Sequence, residues 1–289
     1  MSQTQERSAA KATTPAKALV SFLVHAEPGA ASTHRVEVAT RLARDHGAKL
    51  IGLGAETFEP VLTVDPFFGY AAAEWVTLVQ EQILASLKNA ETAFRRDSAG
   101  ADIEWRSVED NPARALAHTA RAADLIVMSP KGKGGGSRTA DPADVVMTSG
   151  RPVLMVPDTA TRLHAKAVVV AWKDTREARR AVADAMPFLV AAKDVIVLAI
   201  CDEADVSTVT HQVDDVVSAL KRHGVKARSN VTTAPSGAVT MELERVAAAN
   251  QADLIVAGAY GHNRTSEWAF GGVTDDLLHR PECFVLLSH

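Results

Sequence analysis

Apolar residues fall along this chain in short runs, separated by longer stretches in which they recur every three or four positions. In the second half, Val168 to Trp172, Val195 to Ile200, Val225 to Thr232, Leu254 to Ala257 and Phe284 to Leu287 read as strands. Between them Thr175 to Val190, Val206 to His223, Gly237 to Asn250 and Val273 to His279 carry the helical period. Asp174 or Thr175 stands where an N-cap belongs, Pro187 comes near the end of the first helix, and Gly224 stops the second. Strands apolar on both faces that alternate with helices predict a parallel sheet covered on both sides. Five strands suggest the doubly wound order 3-2-1-4-5, which opens a ligand crevice at the carboxyl ends of strands 1 and 4.

The same pattern occurs twice. Ala123-Asp124-Leu125-Ile126-Val127 matches Ala252-Asp253-Leu254-Ile255-Val256 at an offset of 129, which also aligns Gly132 with Gly261 and Arg151-Pro152 with Arg280-Pro281. Near the two beginnings, Lys17-Ala18-Leu19-Val20 matches Lys166-Ala167-Val168-Val169 at an offset of 149, so the first repeat carries about 20 extra residues in its middle. Pro60, Pro66 and Gly69 place them around Phe58 to Trp75. From Ala73 onward a helix is expected, with Trp75, Val79, Ile83, Leu87, Ala90 and Phe94 on a packing face. The chain divides into a disordered tail over 1–16, a first domain over 17–160 and a second over 161–289.

Composition narrows the partners. Of the 289 residues 47% are hydrophobic, and 31 Lys and Arg against 35 Asp and Glu leave a formal charge of -4 without a basic block, which argues against nucleic acid. No run of about 18 apolar residues suggests a membrane span. Cys201 and Cys283 stand far apart among apolar neighbours, as in a reducing cytoplasm, and form neither a disulfide framework nor a thiolate metal site. Metal-ligand spacing is absent among the ten histidines, and no G-x-S-x-G elbow occurs. His25 and Trp172, each at the end of a first strand, are the isolated residues nearest a crevice edge.

The chemistry gathers after the fourth strand of the second repeat. Gly258-Ala259-Tyr260-Gly261 is followed by nine residues and then by Gly271-Gly272-Val273-Thr274, which opens a helix. Glycines permit positive φ and close backbone approach, and a helix N-terminus offers free N–H groups and a favourable dipole, so an anion such as a phosphate suits this place. Thr274 adds a hydroxyl, while His262 and Arg264 add positive character within the spacer. The same glycines also fit a tight strand exit and close packing of helix on sheet. A second glycine-rich run, Lys131 to Ser137, lacks the Lys-Ser/Thr ending of a phosphate loop and reads as a solvated linker.

The G-x-x-G, nine residues, G-G arrangement behind the strand ending at Ala257 resembles the universal stress protein family, and about 270 residues resemble a tandem member of it. The resemblance implies two flavodoxin/Rossmann-like five-stranded parallel sheets paired through their last strands as an intramolecular pseudo-dimer. It also implies a cytoplasmic stress-response role, with ATP or a related adenine nucleotide as ligand and any Mg2+ requirement open. Phosphates would meet Gly258, Gly261, Gly271, Gly272 and Thr274, beside Val273, and adenosine would lie between Ala171-Trp172-Lys173 and Ile200. Two departures stand out. Gly272 takes the place where Ser or Thr follows the third motif glycine, and Asp174 comes one residue later than the family's strand-end Asp.

In the first repeat Ser129, Pro142, Ala143 and Val145 replace Gly258, Gly271, Gly272 and Thr274, which leaves Gly132 alone and predicts a degenerate, structural site. Three functions follow: a nucleotide-responsive protein that signals or stabilises through an unidentified protein partner, a ligand-free interaction module with a vestigial loop, or a slow ATP hydrolase. For the last, Asp174 is the one candidate group near the crevice. A homodimer beyond the intramolecular pair is left open.

Overall fold

The computed structural model describes residues 19–58, 69–130, 138–261 and 271–289. The expected tail, most of the extra segment before Gly69, and the glycine-rich run from Lys131 to Ser137 lie outside the described residues.

The first repeat builds β1 (Ser21–His25), α1 (Ala30–His46), β2 (Lys49–Ala55), α2 (Gly69–Asp97), β3 (Ile103–Val108), α3 (Pro112–Thr119), β4 (Leu125–Met128), α4 (Pro142–Thr148) and β5 (Val153–Met155). The second builds β6 (Ala167–Ala171), α5 (Arg176–Ala191), β7 (Asp194–Cys201), α6 (Val206–Arg222), β8 (Ala227–Thr233), α7 (Val239–Ala249), β9 (Leu254–Gly258), α8 (Gly271–His279) and β10 (Phe284–Ser288). Local chemistry sets the ends. Asn111 Oδ1 accepts from the N–H groups of Ala113 and Arg114 at the start of α3, and Pro112 occupies a first-turn position that needs no N–H. Gly47, with φ 58, ends α1 in the left-handed conformation that glycine tolerates.

Each repeat has the order 3-2-1-4-5, as the alternation predicts. The two sheets are not separate, however: β5 runs antiparallel to β10, with Leu154 opposite Leu286, so among the described residues a single ten-stranded sheet reads β3-β2-β1-β4-β5-β10-β9-β6-β7-β8. Every other neighbouring pair is parallel. Alternate strand residues point to opposite faces. Phe22, Val127, Val170, Val197 and Phe284 meet α1, α2, α5 and α6 on one face, and Leu23, Met128, Val169, Leu198 and Val285 meet α3, α4, α7 and α8 on the other. Each core is continuous across both repeats.

The aspartate of the repeated Ala-Asp-Leu-Ile-Val segment ties down the chain entering the first strand. Asp124 Oδ2 accepts from the N–H groups of Val20 and Ser21 at 2.9 and 3.0 Å, and Asp253 Oδ2 accepts from those of His164 and Ala165 at 2.6 and 3.2 Å. Pairing of Phe22 with Leu125 and of Val168 with Leu254 sets Phe22 against Val168, three residues away from the register of the Lys17-to-Lys166 match. The extra length of the first repeat lies between β2 and β3. It includes the front of α2, which starts at Gly69 rather than near Ala73, a start that the helix-forming run Ala71-Ala72-Ala73 favours. Ile83, Ala90 and Phe94 are buried there, while Trp75, Val79 and Leu87 are half-buried.

Candidate functional site

In the second repeat, β6 and β9 end side by side, with Ala171 paired to Ala257. Trp172, Lys173 and Asp174 leave β6 at that edge, Ile200 is the penultimate residue of β7, and Gly258 closes β9. Because β1-type and β4-type strands separate their crossovers to opposite faces here, the ends of β6 and β9 frame the crevice expected of this topology. His262 and Arg264 lie outside the described residues.

The glycines act differently from what their spacing predicts. Neither Gly258 nor Gly261 has positive φ; the left-handed residue between them is Tyr260, at φ 56. What Gly258 supplies is the absence of a Cβ. One built there would sit 2.5 Å from the Ala178 amide nitrogen and 2.6 Å from the Glu177 carbonyl carbon, so β9 and the N-terminus of α5 are in near-direct backbone contact. At Gly261 a Cβ would come 3.1 Å from Glu177 Oε2 and 3.2 Å from Thr175 Oγ1. Gly272 is the contrast: it is exposed at the start of α8, and a Cβ there would meet nothing within 4 Å among the described residues. Thr274 is buried, at 4% exposure, and Val273 is half-buried against the core.

Several backbone donors at this edge are already engaged. Ala259 donates to Ser288 O at 2.8 Å, Trp172 to Leu198 O at 2.7 Å, and Thr175 to Lys173 O at 2.7 Å. Thr175, rather than Asp174, caps α5, its Oγ1 accepting from the Ala178 N–H at 3.2 Å. Asp174 is exposed and accepts from Arg179 Nη2 at 2.6 Å. The opening turn of α8 adds the free N–H groups of a helix N-terminus at this edge.

Charge at the site is mixed. Glu177, missed by sequence reasoning, is 3% exposed and faces Gly261. Burial opposes its charge, but hydrogen bonds from Arg176, its own N–H and Thr175 hold its carboxyl below the usual carboxylate range. Burial also pushes the half-buried Lys173 ammonium below its ordinary value. The Trp172 indole N–H is buried without a partner among the described residues. No group of three His, Cys, Asp or Glu side chains among the described residues is placed to hold a metal. A glutamate in the first turn of a helix is ordinarily read as a favourable dipole partner, so nothing in its sequence position marked it as a lining group.

The corresponding edge of the first repeat is crossed by its own side chains. Arg138 Nε donates to Glu56 Oε1 at 2.6 Å, Thr139 Oγ1 donates to Glu27 Oε2 at 3.0 Å, and the buried Arg35 donates from Nε to His25 O at 2.9 Å and lies 3.5 Å from Glu27. Asp141 Oδ1 accepts from the Ala143 N–H at 3.0 Å, so a carboxylate occupies the N-terminus of α4. Ser129 Oγ, at the position of Gly258, and His25 Nε2 are buried without partners among the described residues. Gly132 lies outside the described residues.

This architecture is that of a doubly wound α/β protein duplicated about an antiparallel seam. A universal stress protein from Archaeoglobus fulgidus shares the fold, with a TM-score of 0.59 over 93% of this chain and 95% of that chain at 12% identity. A functionally unknown protein from Pseudomonas aeruginosa gives 0.58 over 94% and 93% at 16% identity. A universal stress protein solved in complex with cAMP covers 48% of this chain and 97% of its own, at 24% identity and a TM-score of 0.33. No curated protein sequence matches the chain. The universal stress protein family model matches residues 22–157 and again 164–289, and the chain belongs to that family as a tandem member. No helix among the described residues is long and apolar enough to cross a membrane.

Proposed function

We propose that the second repeat binds an adenine nucleotide such as ATP, that the first is its ligand-free structural twin, and that the chain acts in the cytoplasmic stress response through contacts with a protein partner. The observation that supports this reading is the asymmetry of the two crevice edges. The N-terminus of α8 opens with an exposed glycine at which a Cβ would meet nothing within 4 Å among the described residues, whereas that of α4 is capped by Asp141 and flanked by the Arg138–Glu56 and Thr139–Glu27 contacts. Phosphates would lie toward Gly271, Gly272 and the first turn of α8, where the dipole is favourable. The Gly261 side is less suitable for them, since Glu177 faces it. Adenosine would rest along Ala171, Trp172, Lys173 and Ile200. Domain limits near 160 and 161 suit this division, since they fall between the two matched segments.

The test is calorimetric titration of the full chain with ATP, together with acid release and mass analysis of anything retained through purification. At most one nucleotide per chain is expected. Two equivalent tight sites would overturn the division of labour, and an empty protein that ignores ATP would overturn the binding reading.

A second reading, a ligand-free interaction module, draws support from one feature. The buried Glu177 carboxylate lies against the motif loop and Gly258 has a packing duty, so the glycine pattern would persist without any phosphate. Hydrolysis has less support, since Asp174 is already paired with Arg179.

A further inference from the structure

The 29-residue helix α2, the distinctive element of the first repeat, has a face that the sheet does not use. Its first buried residue among those whose side chains are described is Ile83. Opposite that buried face, Glu74, Leu78, Glu81, Ala85, Lys88 and Thr92 follow one another at alternating spacings of four and three, and every one of them is exposed. That is the spacing of a coiled-coil seam, and on an isolated surface helix it draws one straight stripe. Leu78 is 53% exposed, and Leu84, beside the stripe, 65%.

The stripe is also graded in charge. Its N-terminal half carries Glu74 and Glu81, and its C-terminal half Lys88 and then Arg95, with small Ala85 between the halves. Read in the opposite direction, the acidic half falls on the basic half. Glu81 faces Lys88 and Glu74 faces Arg95 about a centre between Leu84 and Ala85, which leaves Ala85 about 1.5 Å along the axis from its own counterpart, where a small side chain lets two helices approach closely. A parallel arrangement would instead set like charges together. At 1.5 Å per residue the helix offers about 40 Å for such contact. Glu91 already bridges Lys88 and Arg95 at 3.2 and 2.9 Å within the helix, which holds both cations near the stripe and leaves that half with net positive charge.

We infer that two molecules of this chain associate through the outward face of α2, laid antiparallel so that Glu81 of each meets Lys88 of the other about a centre between Leu84 and Ala85. A self-complementary patch of this kind closes as a twofold dimer. Since its contacts are largely charge pairs, association weakens as salt rises.

Sedimentation equilibrium of the full chain, over a concentration series at low and high salt, tests the inference. A dimer is expected, loosened at least tenfold by Glu81→Lys and restored by adding Lys88→Glu, because the double exchange rebuilds the same pairs with reversed sign. In an Ala85→Cys variant, mild oxidation should link two chains, and peptide mass analysis should place the bond between the two introduced thiols. A monomer at every concentration would overturn the inference. So would a dimer that ignores Glu81→Lys, one that the double exchange leaves dissociated, or one whose cross-link does not join position 85 to itself.

Discussion

Gly258 at the end of β9 and Ala178 in the first turn of α5 approach so closely that a Cβ on the glycine would stand 2.5 Å from the alanine nitrogen. Both partners in that contact are backbone, so neither yields by a rotamer change. Gly258→Ala therefore forces strand and helix apart, and the expected loss is about 1–3 kcal/mol, the usual cost of overpacking a core. Urea denaturation of the ligand-free protein measures it. A variant as stable as the parent would mean that α5 slides freely on the sheet.

This contact also shows where sequence reading succeeds and where it stops. The strands, the 3-2-1-4-5 order and the duplication followed from local pattern, since a parallel strand such as Val195 to Ile200 is apolar on both faces and the Asp124 and Asp253 segments repeat outright. The motif glycines were visible for the same reason. Their separate duties were not, because Gly258 is specified by the backbone of α5, some eighty residues earlier in the chain, and Glu177 by a turn that brings a helix start under a loop. The fusion of two sheets into one through Leu154 and Leu286 depends on pairing distant edges, which no local period encodes. The charged contacts over the first crevice, Arg138 with Glu56 above all, likewise join positions that only the fold brings together.

At Gly272 the forecast is opposite to that for Gly258. A Cβ there meets nothing within 4 Å among the described residues, and an acid in the first turn of a helix interacts well with its dipole. Gly272→Asp should leave the thermal midpoint unchanged or raise it slightly, while placing a negative charge where a phosphate would approach. ATP binding in the parent and none in this variant, at equal stability, would locate the phosphates at α8. Undiminished binding in the variant would place the nucleotide elsewhere.

Glu177→Gln separates the two functional readings from another direction. Removing a buried negative charge beside Gly261 should tighten ATP binding by about tenfold, or ~1.4 kcal/mol, if phosphates lie nearby. Titration calorimetry reads the change. Under the interaction-module reading the substitution leaves ATP without effect, as in the parent.

Arg138 and Glu56 form the firmest of the contacts over the first crevice, at 2.6 Å with Glu56 5% exposed. Deleting the cation strands a carboxylate that water reaches poorly, so Arg138→Ala should destabilise by about 1–3 kcal/mol. Arg138→Ala combined with Glu56→Gln should recover most of that loss, because no charge then remains to be solvated. The double-mutant cycle in chemical denaturation measures the coupling. Equal stabilities for the single and double variants would show that the pair merely decorates the loop.

His46 and His25 set the acid sensitivity of the assembled sheet. His46, at the end of α1, stands edge-on to Phe22 of its own repeat at 5.7 Å and to Phe188 of the other at 5.6 Å, and burial, opposed by Asp45, lowers its pKa from the ordinary 6.5. His25 is 1% exposed, and burial with the neighbouring Arg35 lowers its pKa to about 3. Both imidazoles are thus neutral in the folded chain at pH values where they protonate in the unfolded one. As pH falls below 6.5 the unfolded state takes up protons that the folded state refuses, and stability declines by at most about 1.4 kcal/mol per pH unit for each histidine. The decline ceases for each group below its folded pKa, which for His25 is about 3. Between pH 6.5 and 5 the ordinary carboxylate range has been left behind, with Glu244, pushed upward by burial beside Glu282 and Asp276, as the exception, so urea midpoints in that window report chiefly on the histidines. His25→Leu should flatten the slope and His46→Phe should flatten it further while keeping an aromatic contact across the seam. A parent protein whose midpoint does not change over this window would show that both rings are open to water.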